Sequence, residues 1–231
     1  MIDNPLVSIC IPTYEMNGKG VEYLNYSFNK IVNQTYKNIE VVISDNSKTN
    51  VIESLCDTWK NSLNIKYFNN KEKYGMSANT NFCIKKASGE ICKILFQDDF
   101  LLEESSLQTQ LIHFIGNHNH WLVTACCHTN DGINLFKPHY PKYHENIHLA
   151  HNTISCPSVL MFKNEEVIEF DENITWMMDM DYYKRLYDKF GLPSICNYIT
   201  VVNREHSNQT SKEVNSKIKD KELEYIKNKY K

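Results

Sequence analysis

Over the first hundred residues, four short apolar runs alternate with helix-patterned stretches, and that alternation leaves few folds open. Residues 6–12, 39–45, 65–68 and 91–96 have the length and β-branched content of buried strands. Between the first two, Val21, Leu24, Phe28, Ile31 and Val32 recur at three- and four-residue spacing, the mark of an amphipathic helix. Residues 50–61 and 77–87 read as two more helices, the second ended by Ser88-Gly89. Consecutive strands separated by helices must be joined by crossovers, so the chain is predicted to be α/β, with a mainly parallel sheet and helices on both faces.

The rest of the chain is less regular. A helix at 103–116, strands at 121–127, 159–162 and 199–202, and a helix at 179–190 are predicted around a His- and Asn-rich stretch that runs to about 152. Residues 212–231 hold seven lysines against four acids and read as an exposed terminal helix, able to make weak contact with an anionic membrane surface. Residues 1–211 are expected to form one domain, since no repeat or low-complexity linker divides them.

Composition excludes several function classes. A net charge of −3 gives no basic field for nucleic acid. The longest apolar stretches fall well short of the roughly 18–20 residues of a membrane span, and the N-terminus lacks a signal-peptide pattern. A soluble, cytoplasmic protein is expected. Eight cysteines without a C-x-x-C pair suggest reduced core thiols rather than disulfides or zinc. His144, His148 and His151 stand at helical spacing, but without H-E-x-x-H they suggest solvated or site-lining side chains.

In an open α/β sheet, ligands bind beyond the carboxyl ends of the strands. Here those ends carry Pro12-Thr13-Tyr14-Glu15, Asp45-Asn46-Ser47 and Gln97-Asp98-Asp99. G-x-G-x-x-G and G-x-x-x-x-G-K-[ST] are both missing, so no glycine cradle holds phosphate. The adjacent carboxylates of Asp98 and Asp99 offer hard oxygen ligands for Mg²⁺ or Mn²⁺ instead.

In order and spacing, Val7–Glu15, Ile39–Ser47, Gly75–Asn81, Ala87–Glu90 and Gln97–Asp99 resemble glycosyltransferase family 2, of the GT-A fold. The resemblance spans roughly residues 5–210. It implies transfer of a sugar from a nucleotide-diphosphate sugar, with a UDP-sugar favoured, to a hydroxyl of a glycan or lipid-linked oligosaccharide, with inversion. It also implies a nucleotide-sugar half of about 1–100, an acceptor half of about 101–211, and polysaccharide synthesis.

Carried over by position, the resemblance places Pro12, Thr13, Tyr14, Glu15, Gly75, Asn81 and Gln97 around the nucleotide sugar, with Asp45 accepting from a base N–H. Asp98 and Asp99 become the D-x-D equivalent that binds Mn²⁺ or Mg²⁺, one of them on the metal and the other on the ribose or a metal-bound water. His206, in the segment Arg204–Ser211, is a further candidate for the metal or the diphosphate. The chain departs from the family at Phe96, where an acid is frequent, and at Thr80, where an arginine is frequent. Ser158, beside Ser155-Cys156-Pro157, and Trp176 fall on the acceptor side.

The segment 176–185 resembles the one that supplies the general base, and its acids are Asp179 and Asp181. Residues two apart on a helix point about 200° from each other, so the two acids should not share the role. Counting back from Arg185 places Asp179 at the family's catalytic acid, with Met178 replacing the preceding Glu; Asp181 is the runner-up. Two rivals remain: a sugar-phosphate nucleotidyltransferase, which would want a glycine- and basic-rich loop after the first strand, and a non-catalytic nucleotide-sugar binding module.

Overall fold

Strand β1 (Val7–Thr13) is buried along its whole length because it is paired on both sides, parallel to β2 (Ile39–Asp45) and to β4 (Ile91–Ile94). β3 (Ile65–Asn69) continues the parallel sheet beyond β2. The computed structural model describes residues 4–117, 119–207, 209, 212 and 214–231. Three helices make the crossovers: α1 (Gly20–Val32), α2 (Val51–Trp59) and α3 (Met76–Lys86). α1 packs through Leu24, Phe28 and Ile31, in keeping with its sequence spacing. The buried face of α3 is largely polar (Ser77, Asn79, Thr80, Asn81), so its seat depends on hydrogen bonds as well as apolar burial.

The second half extends the same sheet with reversals of direction. After β5 (Phe100–Leu101) and α4 (Ser106–Asn117) come β6 (Trp121–Thr129), β7 (Leu135–His139) and β8 (Leu160–Lys163). Then follow α5 (Met178–Phe190), β9 (Ser194–Arg204) and α6 (Ser216–Lys229). The strand order is β3-β2-β1-β4-β8-β6-β9-β5, with β7 on β6. β8 is antiparallel to β4 and β6, whereas β9 is parallel to β6.

Three features of this half differ from the sequence expectation. β7 lies inside the His- and Asn-rich stretch, where its mostly exposed residues and the proline at 138 give only a weak strand signal. β5 is two residues long, too short for any pattern to show. β9 runs from 194 to 204 rather than 199 to 202, because its first half is masked by the polar, exposed Asn197 and Tyr198.

The terminal helix differs most. It is not an exposed appendage: Ile226 is fully buried, and Lys229 pairs with Asp171 at 2.6 Å and Asp181 at 2.8 Å. Glu222, also buried, accepts N–H bonds from Thr175, Trp176 and Met177 at 2.9–3.0 Å. Hydrogen bonds to a charged group contribute about 1.5–3 kcal/mol each, so this carboxylate alone ties α6 firmly to the turn before α5. Lys217, Lys221 and Lys227 stay on the exposed side.

All eight cysteines are unpaired; Cys156 is partly exposed and the others are buried. No helix among the described residues is long and apolar enough to cross a membrane.

Candidate active site

The chain leaves β1 for β2 on one side and later adds β4 on the other, so the sheet has its topological switch point between β1 and β4. Gln97 bridges that point. Its amide donates to the carbonyls of Tyr14 (3.0 Å) and Gly20 (2.9 Å) and accepts from the Tyr14 N–H (3.0 Å). With both ends of its amide engaged in this way, it braces the site. Gly20 is needed here for space: a Cβ would lie 2.4 Å from the Tyr14 carbonyl oxygen.

Beside the switch point, Asp45 is 1% exposed and heavily engaged. Its Oδ1 accepts from the Thr13 hydroxyl (3.1 Å) and from the N–H and hydroxyl of Ser47 (3.0 and 2.6 Å); Oδ2 accepts from the Tyr67 hydroxyl (2.8 Å). Oδ2 thus keeps the free acceptor capacity of the carboxylate. Burial and this contact with Asp45 raise the Tyr67 phenol well above its usual range. Pro12 lies in the buried strand just before Thr13, and Tyr14 is exposed.

The Glu15 carboxylate accepts from the Lys48 and Thr49 N–H groups, linking the loops after β1 and β2. Burial alone would raise Glu15, but these bonds hold it below the ordinary carboxylate value. Gly75 precedes α3 at φ +107° with open space around it, so glycine is required there by backbone conformation.

Two asparagines of α3 have structural engagements that the sequence does not announce. Asn79 donates to the carbonyls of Thr13 and Ser44 and accepts from Ser44 and Asn70, locking the ends of β1 and β2 together. Asn81 exchanges both bonds with the Phe170 backbone, at 2.9 and 2.7 Å. It therefore braces the segment leading to α5 and does not stand free for a ligand.

Asp98 and Asp99 diverge although they are adjacent. Asp98 meets His206, with Oδ2 to Nε2 at 2.8 Å. β5 and β9 bring the two together by pairing Phe100 with Val202 and Leu101 with Val201. The His206 ring also lies against Tyr23 of α1, 5.3 Å between centroids. Asp99 turns inward and accepts from the Arg204 N–H (3.0 Å) and the Cys156 thiol (3.3 Å). Burial, with the neighbouring Asp98 charge, raises Asp99 to about 7. Arg204 itself lies over the rings of Tyr23 and Tyr26, at 4.7 and 5.3 Å. Asn208, Thr210 and Ser211 lie outside the described residues.

Ser158 sits under this corner, not on an acceptor surface. It is fully buried, its hydroxyl accepts the Phe96 N–H at 2.8 Å, and its carbonyl accepts from the ammonium of Lys93. Lys93 is itself fully buried, and desolvation lowers it to about 7.

Asp179 and Asp181 separate as their spacing demands. Asp181 has no exposed surface, is neutralised by Arg185 (2.8 Å) and Lys229 (2.8 Å), and accepts a hydrogen bond from the Tyr230 hydroxyl (2.7 Å). Asp179 lies in the first turn of α5 and keeps partial exposure. Its Oδ2 accepts from the Asn152 amide and its Oδ1 from the Met180 N–H, both at 2.7 Å. Enclosure by the protein raises it to about 7, helped by the Glu222 charge and opposed by these bonds. Asn152, embedded in the His-rich stretch, is a partner of Asp179 that the sequence does not mark.

A continuous hydrogen-bonded line joins the two corners. Cys156 Sγ lies 3.3 Å from both Asp99 Oδ2 and Asn203 Oδ1, with a single thiol proton within reach of either; Asn203 donates to the Ser155 hydroxyl; Asn152 donates to the Ser155 carbonyl and to Asp179. The segment 152–158 therefore lies between Asp99 and Asp179. Trp176, one turn before Asp179, is partly buried under the Lys219 ammonium, 5.0 Å from its ring centre. His144 and His151 face each other at 4.9 Å, and His148 lies against Tyr230 at 4.7 Å.

Among the described residues, no group of three or more His, Cys, Asp or Glu is placed to hold a metal. The donor set that does converge, a carboxylate and an imidazole, suits a cation completed by substrate phosphate and water rather than an all-protein cage.

Residues 8–209 match the family model for glycosyl transferase family 2. An abequosyltransferase of Salmonella typhimurium is 37% identical over 112 residues, 46% of this chain and 32% of its own. An uncharacterized glycosyltransferase of Rickettsia typhi is 25% identical over 229 residues, 90% of this chain and 66% of its own. Among solved structures, S. aureus TarS (residues 1–349) in complex with UDP-GlcNAc superposes with a TM-score of 0.73 at 15% identity, covering 91% of this chain and 61% of TarS. A mannosyltransferase from Pyrobaculum calidifontis, in complex with GDP-Man and Mn²⁺, gives 0.62 at 17% identity, covering 89% and 59%. The chain spans less than two thirds of the length of each of these relatives. The α/β domain with β1 and β4 at its switch point is of the GT-A type, and the chain belongs to glycosyltransferase family 2.

Proposed function

We propose that the protein transfers a sugar from a nucleotide-diphosphate sugar, a UDP-sugar in the first instance, to a hydroxyl of a glycan or lipid-linked acceptor, inverting the anomeric carbon. The observation that carries this is the placement of a partly exposed carboxylate, Asp179 in the first turn of α5, across the 152–158 segment from the Asp98–His206 pair. The nucleotide sugars named with the TarS and mannosyltransferase structures, and the Mn²⁺ of the latter, support the donor class and a divalent metal.

The residues divide the work as follows. Asp45, held by Thr13, Ser47 and Tyr67, presents Oδ2 to an N–H of the base. Asp98 and His206 face the diphosphate and would hold Mn²⁺ or Mg²⁺ together with phosphate oxygens and water, with Asp99 behind them. A bound cation would offset the charge that develops on the leaving diphosphate. On the opposite side, Asp179 takes the proton of the acceptor hydroxyl as the new bond forms. Burial raises Asp179 to about 7, which brings it towards the range that suits a general base. Asn152 and the Met180 N–H fix the direction of its lone pairs.

The test is release of nucleotide diphosphate from a panel of nucleotide sugars, with and without Mn²⁺ and a glycan acceptor. Acceptor-dependent release for one donor supports the proposal. A chain that is stabilised by nucleotide sugars but releases nothing with any acceptor is a binding module instead.

A further inference from the structure

The N-terminal turn of α5 receives no capping bond from the side chain of its own N-cap residue, Met177. The carboxylate that serves this turn comes from α6, 45 residues further along the chain. Glu222 Oε1 accepts from Thr175, and Oε2 accepts from both Trp176 and Met177, so three consecutive N–H groups end on one carboxylate. Asp179 follows two residues later.

We propose that Glu222 is a positioning residue of the transfer reaction, acting through the turn 175–177 to fix where Asp179 stands and to hold a second negative charge behind it. This rests on Asp179 as the general base.

Three observations support it. First, Glu222 is buried and its hydrogen bonds all go to this turn, so it is committed to the turn rather than to solvent. Second, α6 is pinned independently of Glu222. Lys229 pairs with Asp171 and Asp181, the Tyr225 hydroxyl donates to Asp171, and the Tyr230 hydroxyl donates to Asp181. The same turn is anchored on its other side by Ser77, whose hydroxyl donates to the Ile174 carbonyl at 2.9 Å. Glu222 thus closes a clamp whose other jaw is α3.

Third, the charge acts in the direction a base requires. The N-terminus of a helix favours the anionic form of a carboxylate and weakens it as a base. Glu222 opposes that field and raises Asp179. Tyr183, one turn on along α5, also interacts with Asp179, and burial keeps its phenol protonated. Asn152, on the loop packed against Asp179, is neutral. Asp181 is taken up by Arg185, Lys229 and Tyr230.

The experiment compares Glu222→Gln, Glu222→Asp and the exposed control Glu224→Gln in the full chain. It measures kcat, donor Kd, melting temperature and the carboxyl titration of Asp179 by ¹³C NMR. Glu222→Gln keeps the shape and removes the charge. It should lower kcat by roughly 10- to 100-fold, the range for a small misplacement of a reacting group. Donor Kd should stay within about twofold, because Asp45, Asp98 and Asp99 lie on other elements. The Asp179 titration and the acid limb of kcat should both move to lower pH. Glu222→Asp keeps the charge, so its acid limb should stay in place while kcat falls through the shorter reach. Glu224→Gln should match the wild type.

An unmoved Asp179 titration together with wild-type kcat in Glu222→Gln overturns the proposal. So does a parallel loss of kcat, donor affinity and melting temperature with no change in the pH profile, which is the signature of a merely structural cap. If Glu222→Gln does not fold, unchanged kcat in Glu222→Asp overturns it just as well. Full activity of Asp179→Asn would instead remove the base assignment itself, an outcome distinct from any of these.

Discussion

Nε2 of His206 lies 2.8 Å from Oδ2 of Asp98 although 108 residues separate them. The two-residue strand β5 makes this possible: by pairing with the end of β9 it sets the turn before it against the loop after β9. An imidazole nitrogen and a carboxylate oxygen this close can ligate one divalent cation between them.

The metal is therefore expected to need Asp98 and to feel the histidine mainly in the chemical step. Asp98→Ala should abolish transfer and remove the Mn²⁺ dependence of nucleotide binding, measured by calorimetry with and without the metal; Asp99→Ala, which removes the acid behind it, should also abolish transfer. His206→Ala should lower kcat with a smaller change in donor KM. Unchanged metal dependence in Asp98→Ala would show that the cation is held elsewhere.

Asp179→Asn is expected to lower kcat by about 10²–10⁴ while leaving donor affinity nearly intact. It should also reveal a stability cost. Burial raises Asp179 from an ordinary 3.8 to about 7, so the folded state keeps a proton that the unfolded chain releases. Stability is thus lost as pH rises between those values and stays lowered above them. Asp179→Asn removes that loss, so its melting temperature should exceed the wild type above neutral pH, with the gap closing towards pH 4. A variant less stable than wild type at pH 8 would contradict the burial argument.

Asp45→Ala should raise donor KM with a smaller change in kcat, since contacts to the base are made equally before and during transfer. Tyr67→Phe removes the donor to Oδ2 without removing the carboxylate, and its effect on KM should be smaller. Steady-state kinetics of both variants would decide. Wild-type KM in Asp45→Ala would reduce Asp45 to a brace of the Thr13–Ser47 corner.

Glu40 gives a separate test at acid pH. Burial alone would raise it, but Lys66, Ser8 and Ser88 together lower it from 4.5 to about 2. A depressed carboxylate contributes stability above its unfolded value and loses it as pH falls through its folded value. Glu40→Gln should therefore be less stable than wild type at pH 7, with the difference shrinking between about 4.5 and 2 in denaturation curves. A gap that stays constant across this range would show that charge is not what Glu40 contributes.

Sequence alone determined what depends on local pattern. The β-branched runs at 39–45 and 91–96 and the spacing of Leu24, Phe28 and Ile31 specify strands and a helix by their own periodicity. The alternation of these elements compels crossovers and hence a parallel sheet, which sends the acids after β2 and β4 to one edge. Asp179 and Asp181 were separable by helical geometry, which sends them to different surroundings; counting back from Arg185 makes Asp179 the candidate base only through the family resemblance. Tertiary structure decided which polar side chains face a ligand and which brace the walls, because that depends on partners far away in the chain. Gln97, Asn81 and Ser158 stand at or near motif positions, yet their polar groups are taken by Tyr14 and Gly20, by Phe170, and by Phe96 and Lys93. The lysine-rich end shows the same limit. Its composition describes only the exposed face of α6, while its place in the protein was set by Glu222, Ile226 and Lys229, whose partners at 171–181 lie on the segment that carries Asp179.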